Sequence, residues 1–242
     1  MVEEVSNSLS GMIADLLFPY IRDHIPIYTP NDRRPARKLT SLDYITIHST
    51  ANERSTAKNE RQWLTNSSNQ ATASWHIVID DKEAIEAIPL DEIAWHAGDG
   101  SKGVGNTRSI GIELCESGDR QQTINNAVTL VAKLLHVTNL PVDRVKQHYD
   151  WTGKNCPRIL RTDDHWQEFL LAIAYQLQQK SQQDYQLEEG LKAINYLSEQ
   201  QLLNNPDLWA KRLREPAENW LLFAMLQRID QQLKQVSQIK YK

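Results

Sequence analysis

The residue types best suited to chemistry cluster in His148-Tyr-Asp-Trp-Thr-Gly-Lys-Asn-Cys156-Pro157. An imidazole and a thiol sit eight residues apart on a segment that Gly153 and Pro157 predict to be a loop rather than a helix. Both side chains are good zinc ligands, but two ligands do not complete a site. His48 is the best third. It ends the β-branched run Tyr44-Ile-Thr-Ile-His48, and the small residues Ser49-Thr50-Ala51 that follow leave room around it. Strand alternation puts Tyr44, Thr46 and His48 on one face. Three protein ligands rather than four is the pattern of a catalytic zinc with an open position, where the metal lowers the pKa of water to about 7.

Hydrolysis also needs a proton acceptor and a donor to the developing oxyanion. Glu113 lies between Ile112 and Leu114 in the strand-like run Ser109–Cys115. It is either an exposed strand residue or a carboxylate held at a site. Lys154, two residues before Cys156, is either a surface lysine of the loop or such a donor. A thiol hydrolase built on Cys156 leaves His48 and Glu113 together without a role.

These residues need elements to position them. Strands are predicted at 44–48, 74–79, 84–88 and 109–115, the middle two joined as a hairpin through Asp80-Asp81-Lys82. Helices are predicted at 54–66, 123–137 and 164–179, and 97–105 reads as a glycine-rich loop. Alternating strands and helices predict an α/β fold, a mixed central β-sheet flanked by helices. Residues 22–42 read as a connector, with the basic run Arg33–Lys38 solvated. Beyond about residue 180 glutamine is frequent and strand signals stop. Stripes through Leu187, Leu191, Ile194 and Leu197, and through Leu222, Leu226, Ile229, Leu233 and Val236, flank the break Asn204-Asn205-Pro206. The expected organisation is an amphipathic helix in 1–24, a catalytic domain in 25–180 and a small all-helical C-terminal module in 181–242. The N-terminal stripe runs from Val5 to Ile21 and either packs on the domain or docks a partner. Glu3, Glu4 and Asp15 make it a poor secretory signal, so a cytoplasmic start is expected.

Composition narrows the classes. Lys plus Arg total 27 against 31 for Asp plus Glu, a net charge of −4 that gives no reason to expect nucleic acid or an anionic membrane as the main partner. Cys115 and Cys156 are the only cysteines, too few for a disulfide framework. No apolar run reaches the ~18–20 residues of a membrane span.

Four segments carry a family resemblance: Tyr44-Ile-Thr-Ile-His48-Ser-Thr-Ala-Asn52, Ala73-Ser-Trp75-His76-Ile-Val-Ile-Asp-Asp81, Ile93-Ala-Trp95-His96-Ala-Gly-Asp-Gly100 and Asn106-Thr-Arg-Ser-Ile-Gly-Ile-Glu113. With the loop from His148 to Pro157 they resemble, in order and spacing, the zinc-dependent N-acetylmuramoyl-L-alanine amidases. That family includes phage endolysins, Bacillus cell-wall amidases and animal peptidoglycan recognition proteins. The run from Trp95 to Gly100 is similar to the Bacillus autolysin and prophage branch. The resemblance implies that His48, His148 and Cys156 bind Zn2+, that Glu113 activates water and that Lys154 stabilises the tetrahedral intermediate. It implies a peptidoglycan substrate, cut between muramic acid and L-alanine, by an endolysin or autolysin that reaches the wall after release from the cytoplasm. Some relatives carry a catalytic tyrosine where this chain has Trp75, so Trp75 is left packing or glycan contact. Trp95 and His96 are expected to wall a groove, and His76 to be buried and hydrogen-bonded. Two other readings are a non-catalytic peptidoglycan-binding module, in which the cysteine ligand is typically lost, and an amidase of soluble anhydro-muropeptides, whose sites resemble ones with Asp as third ligand. Trp209 and Trp220 in the C-terminal module either stack on sugars as a wall-targeting device or pack a small bundle.

Overall fold

The apolar alternation of Tyr44–Ser49 and Ser109–Leu114 makes them the two longest strands, paired side by side in the interior of a six-stranded sheet. A computed structural model describes residues 9–13, 16–27, 29–200 and 203–215, with the single positions Phe223, Gln227 and Ile229. Two compact units divide the chain, Met1–Ser181 and Gln182–Lys242.

In the first unit the strands are β1 (Tyr20–Arg22), β2 (Tyr44–Ser49), β3 (Ile77–Ile79), β4 (Ala84–Glu86), β5 (Ser109–Leu114) and β6 (Val145–Gln147). Their order is β1-β4-β3-β5-β2-β6. Only β3 and β4, the expected hairpin, pair antiparallel. The helices are α1 (Ala57–Thr65), α2 (Val104–Arg108), α3 (Arg120–Thr138) and α4 (His148–Thr152), and α5 (His165–Glu199) begins here and continues past the unit boundary at Ser181. Thr56 and Asn59 form a capping box that starts α1, and Asp119 caps α3 by accepting from the Gln122 N–H.

Alternation divides the sheet into two chemically different sides. Ile45, Ile47, Ile110, Ile112 and Leu114 join the apolar residues of α3 and the start of α5 in the main core. Each such side chain contributes about 1.5–3 kcal/mol by leaving water. A second cluster holds Leu64 of α1 with Trp75, Val78, Ile85 and Cys115.

Several expectations change. The helical stripe expected to reach Ile21 is helical at 9–13, whereas Tyr20–Arg22 forms an edge strand on β4. Three acceptor contacts on Glu86 hold this segment down: Ser10 Oγ at 3.1 Å, Tyr20 OH at 2.6 Å and His24 Nε2 at 2.7 Å. Residues 1–8 of that stripe lie outside the described residues. The basic run is not all solvated either. Arg33 is 0% exposed, because its guanidinium donates to the carbonyls of Ala71, Leu64, Asn66 and Asn69 and so replaces the water it leaves. Arg34 pairs with Glu92 through two nitrogens. The glycine-rich loop ends in α2, and the segment predicted as loop from His148 opens with the helical turn α4 before Gly153 breaks it at a φ of 74°. The helix expected to end near 179 continues to Glu199.

In the second unit Asn205 caps the helix α6 (Pro206–Arg212) by accepting from the Leu208 N–H, which turns the expected Asn-Pro break into a helix start. The stripe at 222–236 lies outside the described residues except Ile229, and Trp220 lies outside them as well. Among the described residues no helix is long and apolar enough to cross a membrane.

Candidate active site

The carboxyl ends of three neighbouring parallel strands, β5, β2 and β6, bring the candidate residues together. His48 and Glu113 are register partners near the ends of β2 and β5, and His148 follows β6 directly. In open parallel sheets this edge is where ligands bind, because the strands stop and side chains project past them. Thr46, His48, Ser109, Gly111 and Glu113 occupy the positions that alternate with the core residues. A buried polar line runs beneath the cluster. The indole of Trp151 donates to Thr46 Oγ1 at 3.0 Å, and Thr46 and Ser109 share a hydroxyl contact of 2.7 Å.

Ligand atoms of His48, His148 and Cys156 all lie within 4.8 Å of one another, and all three residues are buried. The two Nδ1 atoms are 3.1 Å apart, and Cys156 Sγ is 3.8 Å from His48 Nδ1. Burial holds His48 well below the usual imidazole range, with His96 and His148 adding to it. His148 is pushed down to about 4 by burial and then by Lys154. Both rings are therefore neutral at pH 7, the state in which imidazole is a metal ligand. Cys156 is pushed up to about 12 by burial and then by Glu113. Two neutral nitrogens and a sulfur facing one another match the donor set of a three-ligand zinc centre. The Ser49 N–H lies 3.4 Å from Cys156 Sγ, where it can donate to a thiolate. Arg158, two residues on, donates its backbone N–H to Ser49 Oγ and binds both oxygens of Glu116. Glu116 also accepts from the Ala51 N–H, so the loops after β2 and around Cys156 are tied to each other.

The cluster opens on a groove of about 710 Å³, whose lining includes Glu113, Lys154, Thr152 and the loop Thr72–Trp75. A larger groove of about 850 Å³ lies elsewhere, between the starts of α3 and α5, and includes none of the candidate ligands. Glu113 has one carboxylate oxygen, Oε2, that is enclosed and without a hydrogen-bond partner. Burial first, and then Glu60, push Glu113 up to about 8, with Lys154 pulling the other way. Lys154 is exposed on the groove's rim.

All three aromatic candidates line this groove, in different ways. Trp95 stands at the rim, where its indole donates to the Asp32 carbonyl and Arg37 lies over its ring. Trp75 is 6% exposed and stacked on Trp63 at 5.6 Å, so it presents only an edge. His96 is also 6% exposed and lies behind His48. His76 is fully buried, with Nε2 bonded to the Glu92 carbonyl and Nδ1 accepting from the Gly111 N–H.

Sequence reasoning missed Asp99 and Asn106. The Asp99 carboxylate accepts from the N–H groups of Gly105 and Asn106. Asn106 Oδ1 accepts from the N–H groups of His96 and Ala97. The signal was present as an Asp inside the glycine-rich loop with an Asn seven residues later. It also missed β6, which delivers His148.

Comparison with known proteins agrees with this geometry. A family model described as N-acetylmuramoyl-L-alanine amidase matches residues 38–159. The N-acetylmuramoyl-L-alanine amidase CwlH of Bacillus subtilis (strain 168) is 42% identical over 157 residues, 63% of this chain and 60% of that protein. XlyB of the same organism, an amidase by name as well, is 40% identical over 141 residues, 57% of this chain and 44% of that protein. The chain thus spans about half the length of these curated relatives. The solved catalytic domain of XlyA superposes with a TM-score of 0.58 at 41% identity, covering 64% of this chain and 98% of that domain. With the matched span enclosing β2 through Cys156, the chain belongs to the N-acetylmuramoyl-L-alanine amidase family.

Proposed function

We propose that this protein is a zinc-dependent peptidoglycan hydrolase that cleaves the amide between N-acetylmuramic acid and L-alanine of the stem peptide, as an endolysin or autolysin does. The observation that carries the reading is the convergence of His48 Nδ1, His148 Nδ1 and Cys156 Sγ beside the enclosed carboxylate of Glu113. His48, His148 and Cys156 would hold the metal. When bound, zinc supplies Lewis acidity, polarising the scissile carbonyl and making water a better nucleophile near neutral pH.

The remaining work falls to the chain's own groups. Glu113 takes the proton of the attacking water and returns it to the leaving amine of L-alanine. A carboxyl tuned upward by burial suits this double duty, because a group titrating near the working pH can both accept and release a proton. Lys154 brings a cationic ammonium to the rim, where negative charge develops on the carbonyl oxygen. The partly exposed ring of Trp95 at the rim offers a flat surface to a sugar or peptide, and Trp75 adds only an apolar edge to the groove. The exposed rings of Trp209 and Tyr196 in the second unit support a wall-targeting role for residues 181–242. Weaker binding of the Trp209→Ala protein to purified cell walls is the expected result, and unchanged binding rejects that role.

The deciding experiment measures free L-alanine amino termini released from purified peptidoglycan by the zinc-loaded protein, the chelated protein and Glu113→Ala. Release that chelation stops, zinc restores and Glu113→Ala lacks is the expected result. No release by a protein carrying one zinc per chain overturns the reading.

A further inference from the structure

Behind the candidate ligands a line of hydrogen bonds fixes which nitrogen of His48 is bare. It starts at the Ser109 carbonyl, which can only accept. The nitrogen facing it, His96 Nε2 at 3.4 Å, therefore carries a proton. The ring is enclosed between the imidazoles of His48 and His76, and among the described residues no carboxylate bonds to it, so a second proton would bury an unpaired charge. Its Nδ1 is therefore a lone pair, and that atom lies 3.0 Å from His48 Nε2. His48 must then donate from Nε2, which leaves its Nδ1 bare and turned toward His148 and Cys156.

We propose that His96 is a positioning residue for the metal centre, acting through His48 by holding it in the Nε2–H form with Nδ1 presented to the ion. This inference rests on the reading of His48, His148 and Cys156 as metal ligands.

Two further features hold His96 in place. Asn106 Oδ1 accepts from its backbone N–H at 2.9 Å, so the residue cannot slide along the groove. Gly111 makes room for the ring. A Cβ at that position would lie 2.5 Å from His96 Cγ, a distance real Cβ atoms essentially never show. The ring is also set edge to face against His76 at 5.5 Å and His48 at 5.1 Å, which fixes its tilt. The strand that carries Glu113 thus supplies both the carbonyl that orients His96 and the gap that admits it. Partners of this kind raise the basicity of a ligating imidazole and spare the ion the cost of selecting its tautomer.

The test uses the full-length protein and Zn2+ as the probe. Zinc affinity is measured by competition with a chromophoric chelator for wild type, His96→Phe, His96→Asn and Gly111→Ala. His96→Phe, which keeps a ring but has no acceptor, is expected to weaken zinc binding about 10- to 100-fold. His96→Asn, whose amide oxygen can accept from His48 Nε2, is expected to recover part of that loss. Gly111→Ala, which displaces the ring, should fall on the side of His96→Phe. Two-bond 15N–1H spectra of the metal-free wild type give a readout that needs no variant, with His48 expected as the Nε2–H tautomer. Wild-type zinc affinity in His96→Phe, or His48 found as the Nδ1–H tautomer, overturns the proposal while leaving the metal reading intact. A wild type that binds no zinc overturns both.

Discussion

The two faces of β2 and β5 share one backbone and have opposite requirements. Ile45, Ile47, Ile110 and Ile112 face a dry core of helix side chains, where volume and shape decide stability. One residue away along the same strands, Thr46, His48, Ser109, Gly111 and Glu113 face each other and the groove. There the hydrogen-bonding character of each atom decides the outcome, and small residues are kept to make room for rings. A one-residue slip would exchange the two sets, so the apolar face also sets the register of the chemical one. Stability and activity should therefore separate along a single strand.

The largest expected effect comes from the chemical face. Glu113→Ala should lower the rate of peptidoglycan cleavage about 100- to 10,000-fold while its thermal melt stays within a few degrees of wild type. A melt that collapses instead would show that the two faces are not separable at this position. Its core-facing neighbour should behave inversely. Ile112→Ala is fully buried and should cost about 2–5 kcal/mol in denaturant unfolding, with the folded fraction keeping its turnover rate. At the sheet's far edge Tyr20→Phe removes one donor from Glu86 and should cost about 1–3 kcal/mol with no change in cleavage. The smallest effect is expected at Cys115. Burial, and then Asp80, hold its thiol well above the ordinary range. It should resist alkylation in the folded protein at pH 8 and react once denaturant is added, and labelling under native conditions would contradict its assignment to the core.

Much of this arrangement was legible in the chain. The period-two runs at 44–48 and 109–115 marked the central strands, and the His-Cys spacing marked two of the three converging ligand atoms. What escaped had physical reasons. β1 and β6 are three residues long and, unlike the equally short β3 and β4, are not joined as a hairpin by a turn signal such as Asp80-Asp81-Lys82. Arg33 sits in a charged run that reads as solvated, and its burial depends on four carbonyls more than 30 residues away. His96 could be placed beside a groove from its motif, but its position behind His48 depends on Gly111 of another strand.

Arg33 has one more consequence. The family match begins at residue 38, downstream of this side chain. Its guanidinium secures the loop from Leu64 to Ala71 that leads into one wall of the groove, and its neighbour Asp32 accepts from Trp95 on the other. Cutting this chain at the family boundary would discard this brace and leave the buried Leu64 carbonyl without the Arg33 donor. An exchange that keeps both contacts in this chain must therefore begin upstream of Asp32.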